Sequence, residues 1–406
     1  MKKYIFLTNT IDSIGGSQLY ISRKIDYLKK NNWDVEVYYT DYGDIMIDNL
    51  RSFVANQLQI LLVPLDYVSK KDCVKLLRHF PKNENTIIET HLIHLSVWGE
   101  YIAKHIGAKH IAYFLCEHFP PLSDGISAFL RFKLQQNLLY GITRESIPTL
   151  FCEDIDGAPY KLQAVGALSG VGEDDERLSD LPQADYTILS LGRLDKPYIP
   201  FMVASIKEFS EKYNLNKINL IVIGDSQFRD DLFEPLNSVS SINVIQLGSM
   251  SPIPQNVFTI SDVAVATAGC VVLTSKNDVP TIAVDGNDFA AIGVMGYTTS
   301  NSLFRNSDEP PIEIKSLLED ILIKKKFPKR GFIIKESEAD YSAHQAIIDM
   351  DFDGVYYDVL GGCEYRKITI EYFVARILGW RAYLQYMRTK YIVKKVLKDI
   401  LGTIFR

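Results

Sequence analysis

Two glycine-punctuated strand–turn–helix units, one opening each half of the chain, constrain the fold of this sequence more than any other feature. The first, KKYIFLTNTIDSIGGSQLYISRKIDYLKKNNWDVEVYYT, covers residues 2–40. The second, YTILSLGRLDKPYIPFMVASIKEF, covers 186–209 and is followed by KINLIVIGDS at 217–226. In each, a short apolar run breaks at glycine and passes into a helical pattern. Buried parallel strands with crossover helices carry this signature, and the turn aims the N–H groups of a helix N-terminus at an anion. Two such units at the head of successive halves predict an α/β chain with two nucleotide-binding-like domains facing a cleft. At 406 residues the chain also exceeds one ordinary core.

Several function classes fall away. The start, MKKYIFLTNTIDSIGG, is basic, but its apolar stretch is too short for a secretory signal core, which predicts a cytoplasmic protein. No run approaches the ~18 apolar residues of a membrane span. The cysteines Cys73, Cys116, Cys152, Cys270 and Cys363 show no C-x-x-C spacing, so reduced thiols are expected. Residues 366–406 hold ten Lys/Arg against two Asp/Glu, a local +8, which leaves −14 for the remainder of a chain whose total is −6. An acidic body with a basic tail argues against nucleic acid as a partner and for a single cationic face.

Periodicity predicts strands over 4–8, 35–39, 58–64, 86–91 and 110–115, with helices over 16–30, 70–79, 95–106 and 125–139. Residues 146–150 open a helix–strand stretch ending near 165. The segment 166–184, GALSGVGEDDERLSDLPQA, is rich in Gly, Ser and acid and reads as a linker. The second half runs strand, helix, strand (220–223), helix, strand (243–247), with further strands at 263–266 and 281–284. Residues 368–405 read as helical. The expected division is 1–165, a linker to 185, 186–335, and a C-terminal extension from 336 to 406.

Five short motifs follow one another in order. They are Ser13-Ile14-Gly15-Gly16-Ser17, Glu89-Thr90-His91, Ser190-Leu191-Gly192-Arg193-Leu194-Asp195-Lys196, Ile260-Ser261-Asp262-Val263 and Val279-Pro280-Thr281-Ile282-Ala283. As an ordered set, the chain resembles GT-B glycosyltransferases of the retaining, capsule- and lipopolysaccharide-building type. The resemblance implies two Rossmann-like domains with C-terminal helices crossing back to the first. It also implies transfer of a sugar from a nucleotide-diphosphosugar to a hydroxyl of a glycan acceptor, polyprenyl-linked, in bacterial surface polysaccharide synthesis. No metal or other cofactor is implied, the nucleotide-sugar being a co-substrate. By the same resemblance, His118 contacts the donor sugar near the reacting carbon, with His91 as second candidate.

One stretch departs from the pattern. Members of that family carry a pair of glutamates before the proline-containing strand, whereas residues 266–278 here contain none. The Ala268-Gly269 turn is instead similar to that of the inverting peptidoglycan lipid-intermediate glycosyltransferase. Ribose and sugar contacts then fall to Thr274, Ser275, Asn277 or Asp278, and Glu117 becomes the base if the reaction inverts. A catalytically silent subunit that binds a partner or glycan, and a nucleotide-sugar epimerase-like enzyme, stay open as alternatives.

The residue types suit this chemistry. A departing diphosphate needs cations and helix N-termini. Arg193 supplies a planar fork and Lys196 a point charge just past a predicted strand end, where α/β sheets bind ligands; the alternative is a pair of solvated loop cations. Gly15 and Gly16 permit close approach of a phosphate or acceptor sugar, or form a plain tight turn. Asp285 and Asn287, just after the 281–284 strand, face sugar hydroxyls or cap a turn. Asp349, Asp351 and Asp353 open like a calcium loop, but Leu360 stands where a bidentate glutamate is needed. Over 390–404, Ile392/Val393, Val396/Leu397, Ile400/Leu401 and Ile404 recur at helical spacing with lysines opposite. That basic amphipathic helix suits an anionic membrane surface, or packs back on the protein.

Overall fold

The computed structural model describes residues 2–9, 14–40, 47–80, 82, 85–115, 119–141, 146–153, 170–213, 217–224, 232–237, 239–329, 341–363 and 369–404. Glu117 and His118, and the strand expected to end near 165, lie outside the described residues. The chain forms two compact units. One comprises Met1–Ser13, Tyr20–Val165 and Ala339–Arg406; the other comprises Ile14–Leu19 and Gly166–Glu338.

The first unit contains β1 (Lys3–Thr8), β2 (Asp34–Tyr39), β3 (Val54–Gln57), β4 (Thr86–Thr90), β5 (Lys109–Phe114) and β6 (Leu139–Gly141), ordered β3-β2-β1-β4-β5-β6 and parallel throughout. The second contains β7 (Val171–Gly172), β8 (Tyr186–Leu191), β9 (Ile218–Ile223), β10 (Ile242–Gly248), β11 (Ile253–Pro254), β12 (Val263–Ala266), β13 (Thr281–Val284) and β14 (Ala291–Val294). Its main sheet runs β10-β9-β8-β12-β13-β14, with β14 antiparallel, and β7 pairs with β11. Both large sheets therefore share the doubly wound order, and the order reverses between β1 and β4 and between β8 and β12.

The apolar strand runs are explained by burial on both faces. Along β1, Ile5 and Leu7 join one core cluster while Tyr4 and Phe6 join the other. In the second unit Leu220 and Val222 face one cluster and Ile221 and Ile223 the opposite one. The helices stop where the sequence lets them. Ile93–Ile106 ends on Gly107 at φ +78°, and Lys70–Leu77 starts on Ser69, whose hydroxyl accepts from the Asp72 amide at 3.1 Å.

Three expectations change. The strand expected over 58–64 is a single 3₁₀ turn, Gln59–Leu62, following β3. Its apolar run is buried without sheet pairing, and Trp98 Nε1 donates to the Val63 carbonyl at 2.9 Å. The helix expected to reach 139 ends at Gln135, because Asn137 turns left-handed at φ +55° and frees Leu139–Gly141 to form β6. Within the segment expected as linker, Val171–Gly172 pairs with Ile253–Pro254 and Leu178 is buried in the second unit.

The C-terminal segment belongs to the first unit. Lys109 Nζ donates to the carbonyls of Ile347, Ile348 and Met350 at 2.6–2.9 Å, closing the end of the Ser342–Asp349 helix. Tyr341 stacks on Tyr27 at 3.9 Å, and the Tyr357 amide donates to Glu100. Helix Ile370–Phe373 runs on through Val374–Leu378, breaks at Gly379 (φ +88°) and resumes as Trp380–Ile404.

Candidate functional site

In an open α/β sheet the ligand crevice lies beyond the strand carboxyl ends where the order reverses. In the second unit this is the end of β8 and β12. β8 runs into Gly192, at φ +136°, whose amide donates to the Ile223 carbonyl at 2.9 Å. β9 runs into Gly224, at φ +149°, where a Cβ would fall 1.9 Å from the Gly192 carbonyl oxygen. Glycine at both places lets the two turns close on each other.

The next residue, Arg193, is about half exposed and lies 3.4 Å from Asp195. Across from the turn stands the Gly269–Lys276 helix, which follows β12: Cys270 Sγ would lie 3.6 Å from a Cβ on Gly192. Burial pushes the Cys270 thiol up to about 11, against the opposing pull of the Lys196 ammonium. Cys270 is thus a protonated thiol rather than a nucleophile, and Lys196 is placed beside the helix start. Ala268, which enters that helix, is held at φ 55°, ψ −132°, a conformation glycine normally takes, while its amide donates to Ser302 at 2.6 Å. Arg193, just past the end of β8, and Lys196, close enough to act on Cys270 in the first turn of the following helix, therefore stand at the reversal point. Two cations beside a helix start are groups that can hold an anion.

The hydroxyls expected to touch the donor are committed elsewhere. Thr274 donates to the Cys270 carbonyl and accepts from Thr281, and Ser275 donates to the Val271 carbonyl at 2.7 Å; both are buried. Asn277 donates to the Leu273 carbonyl. These residues hold the helix rather than face a ligand. Asp285 is also buried, its carboxylate accepting from the amides of Asn287, Asp288 and Arg305 at 2.7–3.3 Å. It shapes the turn that presents the exposed Asn287 to an open cavity of about 500 Å³, which Arg305, Asn306 and Glu309 also line. Sequence reasoning missed Arg305; its only signal was one cation in a turn-rich stretch, and it pairs with Asp288.

Gly15 and Gly16 follow β1, in the stretch Ile14–Leu19 that groups with the second unit. Neither has a positive φ, and a Cβ on Gly16 would meet nothing within 4 Å. A Cβ on Gly15, by contrast, would fall 2.8 Å from Gln18 Oε1, so the space is open at Gly16 alone. His91 follows β4 and is 3 % exposed. Its Nε2 lies 2.9 Å from Glu89, whose carboxylate also accepts from Tyr4 (2.5 Å), Tyr20 (2.9 Å) and Lys24 (2.5 Å). Burial alone would raise the Glu89 pKa; the Lys24 ammonium and the His91 bond overcome it and hold the group below the carboxylate range. An ionised acceptor assigns the shared proton to His91 Nε2, and Nδ1 is buried with no hydrogen-bond partner among the described residues.

The adjacent Thr90 points to the opposite face of β4, where His110, Glu100 and Lys133 form a second buried charge group. His110 is wholly buried. Its partners come from β4 and from two helices, Thr90, Glu100 and Lys133, so no local motif announced them. Among the described residues no cluster of three or more His, Cys, Asp or Glu is gathered to hold a metal ion.

No protein-family model and no curated protein matches the sequence. Among solved structures, a glycosyltransferase from Rickettsia africae is 15% identical and matches over 86% of this chain and 94% of its own, with a TM-score of 0.52. A UDP-GlcNAc 2-epimerase from Neisseria meningitidis, bound to UDP-GlcNAc, is 15% identical over 85% of this chain and 98% of its own, at 0.47. MnaA from S. aureus, with UDP, is 11% identical over 86% and 96%, at 0.49. The last two scores are too low to carry an argument. The first shows the fold, that of GT-B glycosyltransferases, with a doubly wound sheet in each unit.

Proposed function

We propose that this GT-B chain is a glycosyltransferase that moves a sugar from a nucleotide-diphosphosugar to a hydroxyl of a glycan acceptor. The reading is supported by Arg193 just past the end of β8 and by Lys196 beside Cys270 at the start of the Gly269–Lys276 helix, where the second sheet reverses order. A leaving diphosphate gains charge as the glycosidic bond breaks, and fixed cations with helix amides stabilise that charge as it develops. In this reading His118 hydrogen-bonds the donor sugar near the reacting carbon, and Glu117 takes the acceptor proton if the anomeric centre inverts. A polyprenyl-linked glycan of a bacterial surface polysaccharide is the acceptor class that fits the motif order.

A binding-only subunit is the second reading. It is favoured by residues 266–278, which contain no glutamate and whose Thr274, Ser275 and Asn277 side chains are tied to their own helix. A panel of UDP-, GDP-, CMP- and dTDP-sugars, scored by thermal shift and slow donor hydrolysis, separates the two. One donor should stabilise the protein and be hydrolysed, and Arg193→Ala should weaken its binding by about tenfold or more, the loss of a charged hydrogen bond. Stabilisation without turnover, even with acceptor present, supports the binding-only reading. No response from any donor removes the glycosyltransferase.

A further inference from the structure

Uncovered apolar surface is concentrated in one place. Of the thirteen exposed large apolar side chains among the described residues, eight lie between Ile370 and Val393, and Ile377 and Leu378 are the most exposed of all, at 74% and 68%. The segment is anchored to the first unit at its base. Ala375 and Tyr383 are buried, Tyr67 packs edge-on against both Tyr372 and Tyr383, and Arg376 donates to the Val68 carbonyl.

Beyond that base the helix outruns its support. Trp380, Tyr383 and Leu384 pack on the core, but the same stripe continues to Met387 and Tyr391, which are 37% and 61% exposed. Twenty-five residues make the Trp380–Ile404 helix about 37 Å long. Arg381, Arg388, Lys390 and Lys394 are interleaved with this apolar surface, in the stretch that carries +8 in a chain of −6. No helix among the described residues is long and apolar enough to cross a membrane.

We propose that residues 370–394 dock on an anionic lipid bilayer, Ile377 and Leu378 entering the acyl boundary while Arg381 and Lys394 meet the headgroup charge. Apolar side chains standing proud among cations are what an interfacial helix needs. A second copy joined through the same face would set one +8 segment against another, which disfavours self-association. The inference does not depend on the donor reading, and its test contains no sugar.

The test is flotation of the full chain with vesicles of phosphatidylcholine alone or with about a third phosphatidylglycerol, the usual way to isolate a surface-charge contribution. Binding is expected on the anionic vesicles, falling as salt rises from about 0.1 to about 1 M and the screening length from ~10 to ~3 Å. The Ile377→Asp/Leu378→Asp variant should lose about tenfold or more of that binding. Both side chains are exposed, so its circular dichroism and melting temperature should match the parent; Lys394→Glu gives a second, milder loss. Absence of flotation with either vesicle, or equal flotation by the double variant, overturns the proposal. So does a dimer in light scattering that the double variant abolishes and vesicles do not displace.

Discussion

At the scale of single residues, the first unit keeps two charged groups in its interior: Glu89 with Lys24 and His91, and Glu100 with Lys133 and His110. Such groups are costly to bury and more costly to break, since removing one partner strands the other. They also make stability depend on pH. Burial and the Lys133 ammonium pull His110 down to about 4 despite its bond to Glu100. Burial would raise Glu100, but Lys133 and the His110 bond bring it to about 2. Both native pKa values lie below the unfolded ones, so on acidification the unfolded chain takes up protons first. The His110 contribution is complete above about 6.5 and lost towards 4, and the Glu100 contribution is complete above about 4.5 and lost towards 2. The urea midpoint should therefore fall steadily from pH 7 to pH 4, and a midpoint that rose on acidification would contradict this arrangement. None of it was legible beforehand. Glu89-Thr90-His91 stood out as a motif, but Lys24 and Lys133 meet their carboxylates only because the sheet brings distant residues together.

At the scale of elements, the turns at the second sheet's reversal point carry the backbone strain. Gly224→Ala would push a Cβ into the Gly192 carbonyl, and a loss on the order of 3 kcal/mol or more is expected in chemical denaturation. Ala268→Gly should act in the opposite direction. Relief of the φ 55° conformation outweighs the entropy glycine adds to the unfolded chain, and stability should rise by about 1 kcal/mol. A drop on Ala268→Gly would mean that the alanine methyl packs more usefully than its backbone suggests. The strand runs were legible here because doubly buried strands have no polar face to blur them. The residues after β12 were not: Thr274 and Ser275 look available in sequence, and only the helix geometry shows their hydroxyls turned back onto their own carbonyls. Residues 58–64 misled for a related reason, since burial alone writes the same apolar run for a strand and for a packed turn.

At the scale of the whole molecule, the alternation of strands and helices made both doubly wound sheets readable, while antiparallel β14 and the return of the chain to the first unit left weaker traces. The return sets the fate of Lys109 and Glu100. Lys109 is capped by carbonyls of residues 347–350, and Glu100 accepts from the Tyr357 amide. A chain cut after residue 338 would leave both groups short of partners, with the apolar seat of Tyr372 and Tyr383 uncovered. Expression of residues 1–338 should yield aggregate, and a soluble, cooperatively melting fragment would show the first unit to be self-sufficient. During synthesis the ribosome delivers these partners only after every strand of both large sheets has emerged. The first body made is thus among the last to be completed, and a nascent chain stalled before residue 340 would still lack the partners of Lys109 and part of the partners of Glu100.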